Sequence, residues 1–154
     1  MRVPHPEPRT AEQRKADTLA RLATPVLDGW VATAGPAGAH LVPLSLYWTG
    51  ARLAIAVDLA SATARNIAAS GRARIGIGPT RDVVMIDATL APAVPVADAP
   101  ADLADGYATQ SDWDPRQSPD GYAYLVLTPQ RILAWREVNE IAGRTLMRGG
   151  AWVV

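Results

Sequence analysis

The sequence predicts a mainly β protein of six or more antiparallel strands with two or three short helices. Three observations predict it. Apolar, β-rich runs begin at residue 29 and are separated by tight-turn chemistry, Gly35-Pro36-Ala37-Gly38 and then Thr49-Gly50-Ala51. The first three runs follow one another closely enough to form a meander, a pattern that closes into barrels or sandwiches. Helical spacing is confined to short stretches near 11–23, 62–70 and 98–108.

Residues 1–9 contain three prolines and read as a flexible arm. Thr10 and Gln13 form a capping-box signal, and Leu19, Leu22 and Ala23 give the following helix one apolar face that Pro25 ends. Residues 29–34 read as a strand, His40 to Trp48 as its return, and 52–57 as the third strand. A helical pattern from Ala62 to Ser70 interrupts the β pattern, with Gly71 closing it. Residues 74–78 and 83–90 read as two strands around Pro79-Thr80-Arg81-Asp82. Residues 91–104 turn to alanine, proline and aspartate and read as a loop leading into a helix near 98–108. Residues 110–121 read as a long polar loop around Trp113. Two strands, 122–127 and 131–135, are expected on either side of a turn at Thr128-Pro129-Gln130, and a hairpin turning at Gly149-Gly150 ends the chain. The expected organisation is the arm 1–9, one domain over 10–136, and an extension over 137–154 packed on the same domain.

Composition removes several function classes. Fifteen basic residues balance fifteen acidic ones, without the basic excess of a nucleic-acid binder. There is no cysteine, which excludes disulfides, thiolate catalysis and cysteine metal sites. Two histidines, His5 and His40, cannot build a multi-histidine centre, so no metal site is expected. No apolar run approaches the ~20 residues that cross a bilayer, and the N-terminus lacks an apolar signal core, so a cytoplasmic protein without membrane contact is expected. No Ser/His/Asp order or paired carboxylates stand out.

The densest chemistry lies between Leu53 and Arg74. An apolar strand breaks at Asp58, a small-residue loop follows, and Ser61-Ala62-Thr63-Ala64-Arg65-Asn66 opens a helix. Two hydroxyls, a planar cation and free backbone N–H groups at a helix start are the parts that hold a phosphate. The same residues also describe an N-capped crossover helix with a solvated arginine, Asn66 fixing the loop beside it.

The order of elements, together with three stretches, resembles the pyridoxamine-5′-phosphate-oxidase-like split β-barrel family of flavin- and deazaflavin-dependent oxidoreductases. The stretches are His40-Leu41-Val42-Pro43-Leu44-Ser45-Leu46-Tyr47-Trp48; Ser61 to Ile67 with Gly71 to Ile75; and Ser111-Asp112-Trp113 with Thr128 to Ile132. The resemblance implies a split β-barrel that forms a homodimer with two cofactor sites at the subunit interface. It implies an FMN-dependent oxidoreductase moving hydride to or from a small organic substrate. The deazaflavin coenzyme F-420 is the alternative cofactor, and a non-catalytic flavin-binding carrier or sensor the alternative of another class. It places Ser61, Thr63, Arg65 and Asn66 on the phosphate. It places Val42, Pro43, Leu44 and Ser45, with Ala56, Val57 and Asp58, along the ring. Arg81 would reach the partner's cofactor and Trp113 would cover the ring. Where many deazaflavin-binding members carry a lysine and a further arginine, this chain has Thr63 and Ser61, which suits a single phosphate better than a polyanionic tail. The tail arginines Arg144 and Arg148 read either as phosphate ligands or as solvated hairpin residues, and Trp30, Trp48 and Trp135 as core or interface side chains.

Overall fold

The computed structural model describes every residue except Arg2, in the N-terminal arm, and Pro119, in the 110–121 loop. Helix α1 (Ala11–Leu22) starts with the expected capping box, Thr10 accepting from the Gln13 N–H at 3.1 Å while Gln13 accepts from the Thr10 N–H at 2.9 Å. Strands β1 (Asp28–Gly35), β2 (Gly38–Ser45), β3 (Tyr47–Trp48) and β4 (Leu53–Asp58) follow. The expected return strand 40–48 is split at Leu46, whose N–H leaves the ladder to donate to the Leu27 carbonyl at 2.8 Å. Helix α2 (Ala62–Ser70) leads through Gly71, in the left-handed region at φ 70°, into β5 (Arg72–Ile77). Then come β6 (Val83–Pro95), α3 (Ala101–Ser111), β7 (Tyr122–Trp135), β8 (Thr145–Arg148) and β9 (Ala151–Trp152).

Two expectations are corrected here. The turn at Thr128-Pro129-Gln130 does not exist: β7 runs through it as one strand of 14 residues. Asp87 pairs with Arg131 and Ala88 with Pro129, so Gln130 is the extra residue of a β-bulge. A bulge is where a strand tolerates a proline that has no N–H for the ladder. Likewise the loop expected after Leu90 is strand as far as Pro95, because a second register shift between Leu90 and Ala93 carries β6 past Pro92.

The strands form one antiparallel sheet in the order β2-β1-β5-β6-β7-β4-β3, with β8 on the C-terminal half of β7 and β9 on β8. The sheet curls until β2 and β4 approach each other, but no ladder joins them. The chain is therefore a split barrel, mainly β with short helices. Its interior holds Val31, Leu46, Leu53, Ile55, Ile75, Ile86, Leu127, Ile132 and Leu146, all fully buried, with Ile67 of α2 closing one end. A second, smaller core lies on the other face of β4 and β7, where Ala104 and Tyr107 of α3 cover Ala54, Ala56, Tyr124 and Val126.

The segment 137–143 is tied to the arm that precedes α1. Asn139 donates to the Pro6 carbonyl at 2.8 Å, and Glu140, 3 % exposed, takes both Arg9 Nε and Nη2. Among the described residues no helix is long and apolar enough to cross a membrane.

Candidate functional site

The split between β2 and β4 is built by strand geometry. β2 pairs on one edge only, with β1 from Asp28↔Ser45 to Gly35↔Gly38. β4 pairs with β7 along its whole length, but on its other edge β3 reaches only Leu53 and Ala54. Beyond Ala54 the main chain of Ala56, Val57 and Asp58 thus has an edge no strand occupies. Main-chain donors and acceptors on such an edge seek a partner.

Alternation decides which side chains face this split. His40, Val42 and Leu44 pair with the buried-face positions Thr33, Val31 and Gly29 of β1, so they point inward, while Leu41 and Pro43 point out. Leu44 packs on the main core. The Ser45 hydroxyl bonds the Asp28 carboxylate at 3.1 Å, and its carbonyl accepts from the Tyr107 hydroxyl at 3.1 Å. Val57 faces the barrel interior and Ala56 the α3 side.

One end of the split meets the start of α2. Asp58 shapes the approach: its carboxylate accepts the Ala60 N–H at 2.8 Å and its carbonyl the Ser61 N–H at 2.9 Å. Ser61 is the N-cap, accepting from the Ala64 N–H at 3.2 Å. Among the described residues the N–H groups of Ala62 and Thr63 have no acceptor, which leaves two donors at the positive end of the helix. Arg65 is exposed one turn on and donates to the Ala60 carbonyl, which folds it back over the loop.

The remaining expected residues are spread more widely. Thr63 is 3 % exposed, so its side chain is turned into the core and only its backbone faces the helix start. Asn66 donates to the Thr33 hydroxyl at 3.1 Å and lies against Gly35, where a Cβ would collide with its carboxamide. It pins α2 to β1. Arg81 sits in the turn just before β6, paired with Glu137 at 2.6 Å. Trp113 is half-buried in the smaller core, edge-on to Tyr107 and Tyr122 with ring centres 6.0 and 6.1 Å away. The structure therefore gathers β2, the end of β4 and the start of α2, and leaves Arg81 and Trp113 outside that cluster. Of the tail arginines, Arg144 lies over the Trp135 ring at 5.3 Å.

Two clefts open elsewhere. One, of about 590 Å³, is lined by Leu59, Pro95, Val96, Ala104 and Tyr122 between α3 and the start of β7. In the smaller core burial pushes the Tyr107 phenol up to about 12 and raises Tyr124 as well, so both are neutral hydroxyls at physiological pH. The other, of about 790 Å³, lies on the outer face of β1, β5, β6 and β7 and holds four arginines. Sequence reasoning did not assemble that group, although the Arg72-Ala73-Arg74 alternation signals two outward arginines on a strand. Among the described residues no three His, Cys, Asp or Glu side chains converge on a possible metal site.

No protein-family model matches the chain. No curated protein matches it by sequence either. Solved structures do match in shape. An F420 reductase superposes with a TM-score of 0.60 at 17 % identity, covering 72 % of this chain and 92 % of that one. A structure from Listeria innocua titled as a pyridoxamine 5′-phosphate oxidase gives 0.59 at 13 % identity, covering 81 % and 98 %. A heme binding protein from Mycobacterium smegmatis gives 0.63 at 21 % identity, covering 96 % of this chain and 60 % of that one. The chain thus has the pyridoxamine-5′-phosphate-oxidase-like split-barrel fold, shared by neighbours that include an F420 reductase and a heme binding protein.

Proposed function

We propose that this chain is a cytoplasmic, homodimeric oxidoreductase that binds a flavin nucleotide in the split between β2 and β4. The observation that carries the reading is the coincidence of two open strand edges with the two unpaired N–H groups and the exposed Arg65 at the start of α2. A ribityl phosphate fits that donor set: two backbone donors, the Ser61 hydroxyl and one guanidinium match one phosphate group. With Thr63 turned inward and no lysine present, the set favours FMN over the deazaflavin coenzyme, whose reductase is among the fold neighbours. Val42 and Leu44 would give the ring an apolar wall, and the free edge from Ala56 to Asp58 would meet its polar rim with main-chain groups. The flavin, when bound, supplies the hydride chemistry, and the chain orients it and excludes water.

The outer sheet face offers the docking surface. Pairing puts Pro43, Trp30, Gly76, Met85 and Leu133 in one row, with Leu41 and Ala32 beside it. Trp30 is 53 % and Leu41 59 % exposed, an apolar stripe that a second copy would cover.

Titration of FMN into the protein, followed by fluorescence quenching, tests this reading. Saturation near one FMN per chain is expected, and Arg65→Ala should weaken it at least tenfold, about 1.4 kcal/mol or more. Unchanged affinity in that variant removes the anchor. Binding of the deazaflavin alone changes the cofactor, and binding of neither removes the enzyme reading.

A further inference from the structure

We propose that the outer-face groove is a second ligand site, separate from the start of α2, that takes a small polyanion carrying at least two phosphate or carboxylate groups. The groove lies between two walls. One is the corner from α2 into β5, where the Arg72 N–H donates to the Ser70 hydroxyl at 3.1 Å. The other is the β8–β9 hairpin, held by the Gly150 N–H on the Gln130 carbonyl at 2.9 Å, which sets Arg148 and Gly149 at the rim. On the floor β1 contributes Ala32, Thr33 and Ala34, and the groove measures about 790 Å³.

Its charge is one-sided. Arg72, Arg74, Arg131 and Arg148 line it against a single carboxylate, Asp87. By register Asp87 stands between Arg74 and Arg131, yet Arg74 takes both of its oxygens, at 2.6 and 3.1 Å. Among the described residues Arg72, Arg131 and Arg148 have no carboxylate within 4.0 Å. Outward positions of an antiparallel sheet are ordinarily polar but mixed in sign. Four guanidiniums to one carboxylate, in a chain whose charges balance overall, is a local positive field. Guarding a sheet edge does not explain it, because β5, β6 and β7 are interior strands.

Neutral groups complete the site. Gln130, the extra residue of the β7 bulge, points its carboxamide at the Thr89 hydroxyl at 3.4 Å, so both face the groove beside the free arginines. Bulges re-aim side chains in this way. Planar guanidiniums spaced along neighbouring strands suit a ligand with several separated anionic oxygens better than one compact ion. The groove adjoins the apolar docking row: Ala32 borders both, Arg74 lies two residues along β5 from Gly76, roughly 7 Å, and Arg72 four residues, roughly 13 Å.

Calorimetric titration with sodium triphosphate, and in parallel with citrate, at constant ionic strength tests this. The proteins are the native chain, Arg131→Gln/Arg148→Gln, Arg72→Gln and Arg65→Gln, each checked for an unchanged thermal midpoint. Saturable triphosphate or citrate binding that survives Arg65→Gln, falls at least tenfold in the double variant and falls in Arg72→Gln supports the site, and the tighter ligand assigns phosphate or carboxylate. No saturable binding of either ligand overturns it. So does loss in Arg65→Gln, which would place the anion at α2, or no change in the double variant. Failure of FMN to bind leaves this result standing, so the two readings fail separately.

Discussion

Replacing Glu140 by Gln should destabilise the protein and flatten its response to acid. The Glu140 carboxylate is 3 % exposed and accepts four hydrogen bonds: Arg9 N at 2.9 Å, Arg9 Nε at 3.0 Å, Arg9 Nη2 at 2.8 Å and Arg136 N at 2.9 Å. The Arg9 guanidinium above all, then these backbone donors, draws its acidity from 4.5 down to about 2. At ~1.4 kcal/mol per tenfold change in proton affinity, that is about 3 kcal/mol of stability at neutral pH. The sign follows from the direction. A carboxyl group depressed in the folded state contributes fully above its unfolded value near 4.5, and the contribution is lost as pH falls toward 2. Gln keeps the shape and part of the bonding but leaves Arg9 without its counter-charge, so a loss of about 2–3 kcal/mol is expected at pH 7. Urea unfolding of both proteins from pH 7 to pH 2.5 measures it. The native chain should approach the variant as the pH drops. Equal midpoints at pH 7, or parallel pH profiles, would refute the reasoning.

Three further substitutions test the packing and the surfaces. Tyr124→Phe should be neutral or stabilising by up to about 1 kcal/mol, because the buried Tyr124 hydroxyl has no hydrogen-bond partner among the described residues; a clear fall in thermal midpoint would contradict this. Gly106→Ala adds a helix former inside α3, but its Cβ would collide with the Tyr47 ring and hydroxyl, so a net loss of roughly 1–2 kcal/mol by denaturant titration is expected. Trp30→Glu places a charge in the middle of the exposed apolar row; if the proposed dimer forms there, the native chain should sediment as a dimer and the variant as a monomer with the fold kept by circular dichroism, and a monomeric native chain or an unchanged mass would refute that docking surface.

Local chemistry was legible where one segment decides its own structure. The Thr10–Gln13 capping box and the Ser61 to Gly71 punctuation gave the bounds of α1 to within a residue and of α2 as observed. The errors fall where a neighbouring strand decides. Pro129 reads as a turn in isolation, and only the partner strand, by accommodating Gln130 as a bulge, keeps β7 continuous. Leu46 reads as mid-strand, and only the Leu27 carbonyl pulls it out of the ladder. Thr63 reads as a first-turn hydroxyl free for a ligand, but the face that α2 turns to β1 is chosen by Ile67 and by Asn66 on Thr33, and that choice buries Thr63.

The same distinction separates the two candidate sites. The α2 site is contiguous in sequence, so its parts can be named before the fold is known, but an N-cap serves helix and phosphate with the same atoms. The arginine groove is the reverse case. Its residues come from β5, β6, β7 and β8, up to 76 positions apart between Arg72 and Arg148, and no short window contains them. Register assembles them: Arg74↔Asp87↔Arg131 is one row across three strands, and Arg72↔Thr89 is the next. A helix start has an internal reason for its polar residues, since the helix needs the cap. Among the described residues the guanidiniums of Arg72, Arg131 and Arg148 have no counter-charge and no hydrogen-bond partner in the fold itself, and they cost it self-repulsion. A variant removing Arg131 and Arg148 should therefore be at least as stable as the native chain, with a thermal midpoint equal or higher in low salt. A lower midpoint would show that these arginines hold the sheet together rather than serve a ligand.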